Sequence, residues 1–184
     1  METRKKVTQM YDLQMSEDIC LSIYANKANK IVLRTILFLA LAIFLILISI
    51  LIALTIMGEG IQIGFIITCV IGLLTSGYLT KLYLWNKYGK EVFVIHNNNL
   101  LLFNDYKFFK DNRQEYNFKS ISIYSEYNNV LMSISLMVSN PKENAEISSI
   151  ICFKVDERIV KSEGAIPLET IISINKHISQ WNMH

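Results

Sequence analysis

The chain of 184 residues lacks the residue patterns that catalytic and metal sites are built from. It has three cysteines and three histidines, and none of them stands at a metal-ligand spacing. Neither a glycine-rich phosphate loop nor a GxSxG nucleophile motif is present. The acidic pairs are adjacent in sequence, so on a strand their side chains would face opposite sides. These absences predict a non-enzyme that uses no cofactor and no metal.

Two further shortages bear on location and partners. Cys20, Cys69 and Cys152 are isolated and form no CxxC pair. Free thiols suit a reducing compartment, which predicts that the soluble parts are cytoplasmic. The net charge is only +2, too small to indicate a nucleic-acid partner.

Charged residues are absent from two long apolar stretches, residues 35–57 and 61–80, which Gly58-Glu59-Gly60 separates. Each stretch has the ~20 residues that a helix needs to cross a bilayer. The first begins too far along the chain, and is too long, for a cleaved signal peptide. The sequence therefore predicts a transmembrane hairpin at residues 31–85, with helices at about 33–57 and 61–83.

Basic residues flank this hairpin on both sides, whereas the connecting loop holds only Glu59. By the positive-inside rule, this predicts a two-pass protein of a bacterial inner membrane with both termini in the cytoplasm. Tyr78, Tyr83, Trp85 and Tyr88 lie near the end of the second helix, where an aromatic belt is expected at the membrane interface.

Small side chains recur every four residues along the second predicted helix and form one stripe. Such a stripe lets another helix approach closely, either the first helix of the same chain or a helix of a second copy in a homo-oligomer. We favour the first helix, because a short hairpin already holds the two together. The stripe consists of Gly64, Thr68, Gly72 and Ser76.

Residues 86–184 are predicted to form a cytoplasmic domain of about seven short strands, because apolar and polar residues alternate between turn signals. One predicted hairpin has strands at 106–110 and 114–118 around Asp111-Asn112. After Pro167 the apolar spacing becomes helical and predicts a helix over residues 167–183. The predicted fold class of this domain is α+β, a small barrel or sandwich capped by the C-terminal helix. The helix residues predicted to be buried are Leu168, Ile171, Ile172, Ile178 and Trp181.

The N-terminal segment, residues 1–30, contains an alternating stretch at residues 18–24 (DICLSIY). One interpretation is a strand that pairs with the soluble domain, because a lone strand is unstable in water. The other is a juxtamembrane helix that begins at Ser16. We favour the strand, which would make the hairpin an insertion in one continuous fold.

Aromatic and basic side chains are interleaved between residues 106 and 113. This combination can contact an anionic bilayer surface or a lipid headgroup. An ordinary strand pair, with its aromatics in the core and its lysines in water, fits the same residues, and neighbouring acidic residues dilute the charge. The candidate membrane contacts are Lys107, Phe108, Phe109, Lys110 and Arg113.

The segment at residues 84–92 (LWNKYGKEV) resembles the start of the cytoplasmic domain in a family of small bacterial membrane proteins. Members have two transmembrane helices and a pleckstrin-homology-like (PH-like) domain. A later aromatic residue, Tyr116 before Phe118 and Ile121, and a short strand with a basic stretch before the first helix match as well. The resemblance covers most of residues 18–184. It implies a PH-like domain and brings no catalytic residues with it.

Two functions fit these observations. The first is a membrane-anchored interaction module whose partner, besides the bilayer, is a protein or lipid at the inner face. One version of this role is an immunity protein that neutralises a membrane-acting toxin. The second is an oligomeric channel or transport-accessory subunit, for which polar pore-lining residues are scarce.

Overall fold

The computed structural model describes residues 11–58, 63–127, 130–134 and 148–181. It divides into two compact units. The helical unit is Asn26–Gly89, and the sheet unit combines the chain up to Ala25 with the chain from Lys90 onward. The predicted loop at Glu59-Gly60 and the turn-rich stretch at residues 140–144 lie outside the described residues.

The helical unit contains α1 (Lys30–Met57) and α2 (Ile63–Tyr88). Asn29 begins α1 by accepting a hydrogen bond from the Ile31 amide (3.2 Å), and Gly58 ends it in the left-handed conformation (φ 68°). Both helices are long and apolar enough to cross a membrane, as predicted. In the most apolar 18-residue stretch of each helix, only 6% is buried inside the protein, whereas the core helix of a soluble domain would be mostly buried.

Helix α2 runs five residues past its predicted end and stops at a glycine. The Gly89 amide donates to the Trp85 carbonyl at 2.8 Å. A Cβ atom at Gly89 would lie 2.4 Å from that carbonyl oxygen and 2.5 Å from the Trp85 ring. A glycine is therefore required where the chain passes from α2 into the first strand after it.

Nine strands in the described part of the sheet unit form two antiparallel sheets. The first sheet follows chain order: β1 (Tyr11–Met15), β2 (Ile19–Tyr24), β3 (Lys90–His96), β4 (Asn99–Asp105) and β5 (Lys110–Asn117). The second has the order β7-β6-β8-β9, with β6 (Ile121–Tyr127), β7 (Val130–Ser133), β8 (Ser148–Val155) and β9 (Arg158–Pro167). Helix α3 (Leu168–Trp181) packs against β6, β8 and β9. The layout is α+β, as predicted.

Of the two interpretations of residues 18–24, the structure has the strand. Strand β2 pairs antiparallel with β3, the first strand after α2, and Tyr24 lies opposite Lys90. The helical hairpin is therefore inserted between two neighbouring strands of one sheet. Strand β1, which pairs with β2, was not predicted.

The core of the sheet unit lies between the two sheets and α3. Phe93 of the first sheet meets Phe153 of the second, with 5.2 Å between the ring centroids. The residues of α3 that are buried in this core are Leu168, Ile171, Ile174 and Ile178. Ile172, which was predicted to be buried, is only partly so, because positions 171, 174 and 178 define the buried helix face and 172 lies at its margin. The side chain of Trp181 lies outside the described set.

The predicted hairpin around Asp111-Asn112 is wrong. Residues 110–117 form one strand, and the turn lies earlier, at residues 106–109. Asn112 does have the positive φ (51°) typical of a turn residue, but it adopts this conformation where the β4–β5 register shifts, as in a β-bulge. Strand β9 was missed, because its charged residues and Gly164 obscure the alternation.

Candidate functional site

Four strands of the first sheet bring one residue each into a row at one end of the sheet. Tyr24 pairs with Lys90, Lys90 with Asp105, and Asp105 with Lys110. The chain leaves the sheet for α1 after Tyr24 and returns from α2 at Lys90. We call this end of the sheet the hairpin end. The opposite end of the same strands, the distal end, carries the β3–β4 turn and lies about 20 Å away for strands of this length.

The β4–β5 turn, residues 106–109, lies at the hairpin end and is held by local contacts. The Tyr106 amide donates to the Phe109 carbonyl at 3.0 Å, and the Lys107 amide donates to Asp105 Oδ1 at 2.7 Å. The buried Tyr106 ring stacks on Phe109 with 4.6 Å between the centroids and 11° between the planes. These contacts leave Phe108 at the outer tip.

The turn presents aromatic and cationic groups together. Phe108 is 68% exposed, more than any other large apolar side chain in the described residues outside the two long helices. Phe109 is 41% exposed. The Lys107 ammonium lies 5.8 Å from the Phe108 ring centroid, and the Lys110 ammonium lies 4.5 Å from that of Phe103. Four of the five candidate membrane contacts are thus grouped in one turn and its first strand residue.

Arg113, the fifth candidate, is separated from the turn. It lies further along β5 at the register shift, and its guanidinium is 3.7 Å from Glu115. At the hairpin end, the Lys90 ammonium lies 3.5 Å from Asp105. Two of the acidic groups that were expected to dilute the positive charge therefore have cationic neighbours of their own.

Glu91, next in the chain to Lys90, is the only acidic or basic side chain among the buried residues of the described part. It shares the core-facing side of β3 with Phe93 and Ile95 and lies opposite Ile23 of β2. Its Oε2 accepts a hydrogen bond from the Glu163 amide at 2.9 Å. Burial raises the pKa of Glu91 to about 7, despite the opposing effect of this hydrogen bond.

A bulge in β9 makes the Glu91 contact possible. Ile150 pairs with Ala165 and Cys152 with Lys161, so Ser162, Glu163 and Gly164 together oppose one residue of β8. Ser162 Oγ accepts from the Ile151 amide (3.2 Å) and donates to the Gly164 carbonyl (2.7 Å). This junction was not predicted from the sequence; the signal for it was an acidic residue in register with Phe93 and Ile95.

The small-residue stripe of α2 faces α1 at two of its four positions. Ser76 Oγ donates to the Ala40 carbonyl of α1 at 2.9 Å. A Cβ atom at Gly72 would lie 2.7 Å from Leu47 Cδ1, so this glycine also faces α1. The other two members of the stripe are exposed in the chain: Gly64 and Thr68.

Hydroxyl groups elsewhere in the described helices bond to their own backbone. Each donates to the carbonyl four residues earlier at 2.8–3.0 Å; in α1 and α2 these residues are Thr35, Ser49, Thr55, Thr68, Thr75 and Thr80. A groove of about 340 Å³ between α1 and α2 is lined by apolar side chains and Cys69. Neither feature offers a charged group that could orient a polar ligand.

The remaining reactive side chains do not converge on a catalytic arrangement in the described residues. No three His, Cys, Asp or Glu side chains there are placed to hold a metal ion. At the distal end, His96 contacts the Asp18 carboxylate, and His177 Nε2 lies 3.2 Å from the Ser16 carbonyl. Burial, with the Glu126 carboxylate nearby, raises the pKa of Cys152 to about 11, so its thiol stays protonated at neutral pH.

No family model, no curated protein and no solved structure matches the chain. The functional conclusions therefore depend on the sequence and on the contacts described above.

Proposed function

We propose that the protein is a non-enzymatic bacterial inner-membrane protein that presents a PH-like interaction module at the cytoplasmic face. The pairing of β2 with β3 is the observation that carries the proposal. Because these strands are neighbours in one sheet, the segments before and after the hairpin share one side of any membrane that α1 and α2 cross. The basic flanks of the hairpin favour the cytoplasmic side.

The order of elements supports a PH-like module. Two antiparallel sheets are followed by one C-terminal helix, whose apolar face covers the core they enclose. This is the arrangement that the resemblance at residues 84–92 implies. The structure explains why a glycine follows Trp85 in that segment, since the indole ring of Trp85 occupies the space that a Cβ atom at residue 89 would need.

Binding, not catalysis, is the role we assign to the sheet unit, with a protein at the inner face as its partner. Neutralising a membrane-acting toxin, as an immunity protein does, is one version of this role. The alternative, a channel subunit, would need polar groups turned toward a pore. The backbone bonds of Ser49, Thr55 and Thr75 do not favour it.

Reporter fusions test the location. A reporter active only in the periplasm is fused after His184 and, separately, inserted at Gly60. We expect activity from the Gly60 insertion alone. Activity from the His184 fusion would overturn the proposal.

Crosslinking in cells tests the interaction. We expect the full chain to give a discrete adduct with one partner protein. An Ile174→Asp variant, which places a charge at a fully buried position of the sheet unit, should lose this adduct, while fractionation checks that it still reaches the membrane. If a toxin gene lies beside the gene for this chain, survival on toxin production replaces the adduct as the measurement. Survival that is equal with and without the chain would exclude the immunity version.

A further inference from the structure

We propose that the β4–β5 turn docks on the anionic lipid surface of the membrane that holds α1 and α2, with Phe108 as the inserted side chain. The inference rests on the proposed function, because it needs the sheet unit to be tethered beside that membrane by the hairpin. It adds a second contact, made by the sheet unit itself.

The first argument is position. Lys90 follows Tyr88, the last residue of α2, by two positions, which a chain can span with at most about 7 Å. Lys90 pairs with Asp105, and Asp105 pairs with Lys110. At about 4.8 Å between neighbouring strands, the turn lies within roughly 10 Å of the point where the chain returns from α2. The same register places the β3–β4 turn at the distal end.

The second argument is chemistry. An aromatic ring that is 68% exposed gains from transfer into the membrane interface, where aromatic side chains are enriched. Lys107 and Lys110 flank the rings and can lay their apolar stems along the interface while their ammonium groups meet lipid phosphates. Asp105 lies near Lys90 and Glu115 near Arg113, and Asp111, which follows Lys110, is the acidic residue next to the turn lysines.

The third argument is preorganisation. The Tyr106–Phe109 stack and the Asp105 bond to the Lys107 amide hold the turn in place. Binding therefore loses little conformational entropy, which favours a small contact of one ring and two cations. The membrane is a better match than a protein partner, because a connection of two residues tethers the hairpin end of the sheet to α2.

Depth-dependent quenching in vesicles tests the inference on the full chain. The three native cysteines are replaced by alanine. Phe108→Cys and, as the distal control, Asn98→Cys each carry one environment-sensitive fluorophore. Each protein is reconstituted into vesicles with brominated acyl chains, made either of phosphatidylcholine or of phosphatidylcholine with phosphatidylglycerol. Thermal unfolding checks that both variants are folded.

We expect the label at position 108 to be quenched several times more than the label at 98 in anionic vesicles, and less in phosphatidylcholine alone. Lys107→Gln with Lys110→Gln should reduce anionic-vesicle quenching to the phosphatidylcholine level. The matched pair Lys119→Gln with Lys154→Gln, also exposed, should not. Equal quenching at 108 and 98, or equal quenching in both vesicle types, would overturn the inference. The inference would also be overturned if the label at position 108 became buried only after another protein was added.

A membrane-impermeant thiol reagent separates this inference from the proposed function. In intact cells, both positions should be protected from reagent added outside. Protection without quenching would overturn the lipid contact and leave the proposed function standing. Reaction from outside would overturn the proposed function whatever the quenching shows.

Discussion

At the scale of single residues, Glu91 is the least expected feature of the fold. Its carboxyl group occupies a core-facing position of β3 that Phe93 and Ile95 continue. One backbone hydrogen bond, from Glu163, compensates only part of the lost hydration. The raised pKa means that the folded chain holds a proton on Glu91 under conditions in which the unfolded chain has lost it.

We predict that the sheet unit becomes less stable as the pH rises through the weakly acidic range. The folded pKa of about 7 exceeds the unfolded value of 4.5, so the stability that the Glu91 proton contributes is fully present below about pH 4.5, falls between these values and is lost above pH 7. Each pKa unit of difference corresponds to about 1.4 kcal/mol, which gives an upper limit of roughly 3.5 kcal/mol. Melting temperatures of the detergent-solubilised chain at about pH 5 and about pH 8 measure this change.

Glu91→Gln should remove most of this pH dependence and raise the melting temperature at the alkaline end, because an amide can still accept from the Glu163 amide. Among the described residues, Glu163 is the charged group that acts on Glu91. Glu157→Gln, at an exposed turn, serves as the control and should leave the pH dependence unchanged. Identical slopes for Glu91→Gln and the unchanged chain would show that Glu91 does not titrate as described.

At the scale of elements, local patterns predicted the helices better than the sheets. The absence of charge identified α1 and α2, and a 3.6-residue period identified α3. Whether Asp111-Asn112 forms a turn or a bulge depends on the partner strand, because both use a positive φ at Asn112. The β9 bulge and its contact with Glu91 likewise depend on residues distant in sequence. The interleaved turn residues were found, but Arg113 could not be excluded without the register.

Two neighbouring isoleucines of α3 give a matched test of how the helix docks. Ile174 is fully buried, whereas Ile172 is only partly so. We predict that Ile174→Ala lowers the free energy of unfolding by about 2–5 kcal/mol, as is usual for a buried isoleucine, and that Ile172→Ala has a clearly smaller effect. Thermal or urea unfolding of both variants checks this order. Equal effects would mean that α3 is rotated from the orientation described.

Two glycines of α2 give a similar test for the helical unit. A side chain at Gly72 would meet Leu47 of α1, whereas a Cβ at Gly64 would have nothing within 4 Å. We predict that Gly72→Leu destabilises the helical pair by about 1–3 kcal/mol, typical of overpacking, and that Gly64→Leu does not. Melting temperature and particle size in detergent are the measurements. Efficient crosslinking between chains through Gly72→Cys would instead assign this position to an oligomer interface.

At the scale of the whole molecule, the helical hairpin separates β2 from β3 in the sequence, although the two strands are neighbours in the sheet. Strand β2 has its partner β3 only after both long helices have been made. The core-facing residues Ile19, Leu21 and Ile23 therefore stay uncovered until the chain beyond α2 is available. Closing such a long loop is slow and entropically costly before the contacts form. In the membrane protein we propose, insertion of α1 and α2 and completion of the sheet are thus coupled.

The β2–β3 pairing predicts one disulfide that can form only if the two strands are neighbours in the sheet. Cys20 lies directly opposite Val94, on the face of the sheet away from Leu21 and Phe93. Opposed residues of antiparallel strands have Cα atoms about 4.5–5.5 Å apart, within the range of a disulfide. Val94→Cys should therefore crosslink to Cys20 within one chain when isolated membranes are oxidised. Burial raises the pKa of the Cys20 thiol, so the reaction is run at alkaline pH.

Lys154→Cys, exposed on β8 in the other sheet, should give no such product. Loss of both free thiols together with faster migration on a non-reducing gel measures the crosslink. If Val94→Cys remains unlinked, or links only between chains, then β2 and β3 are not paired. The conclusion that the segments before α1 and after α2 lie on the same side of the membrane would then lose its basis.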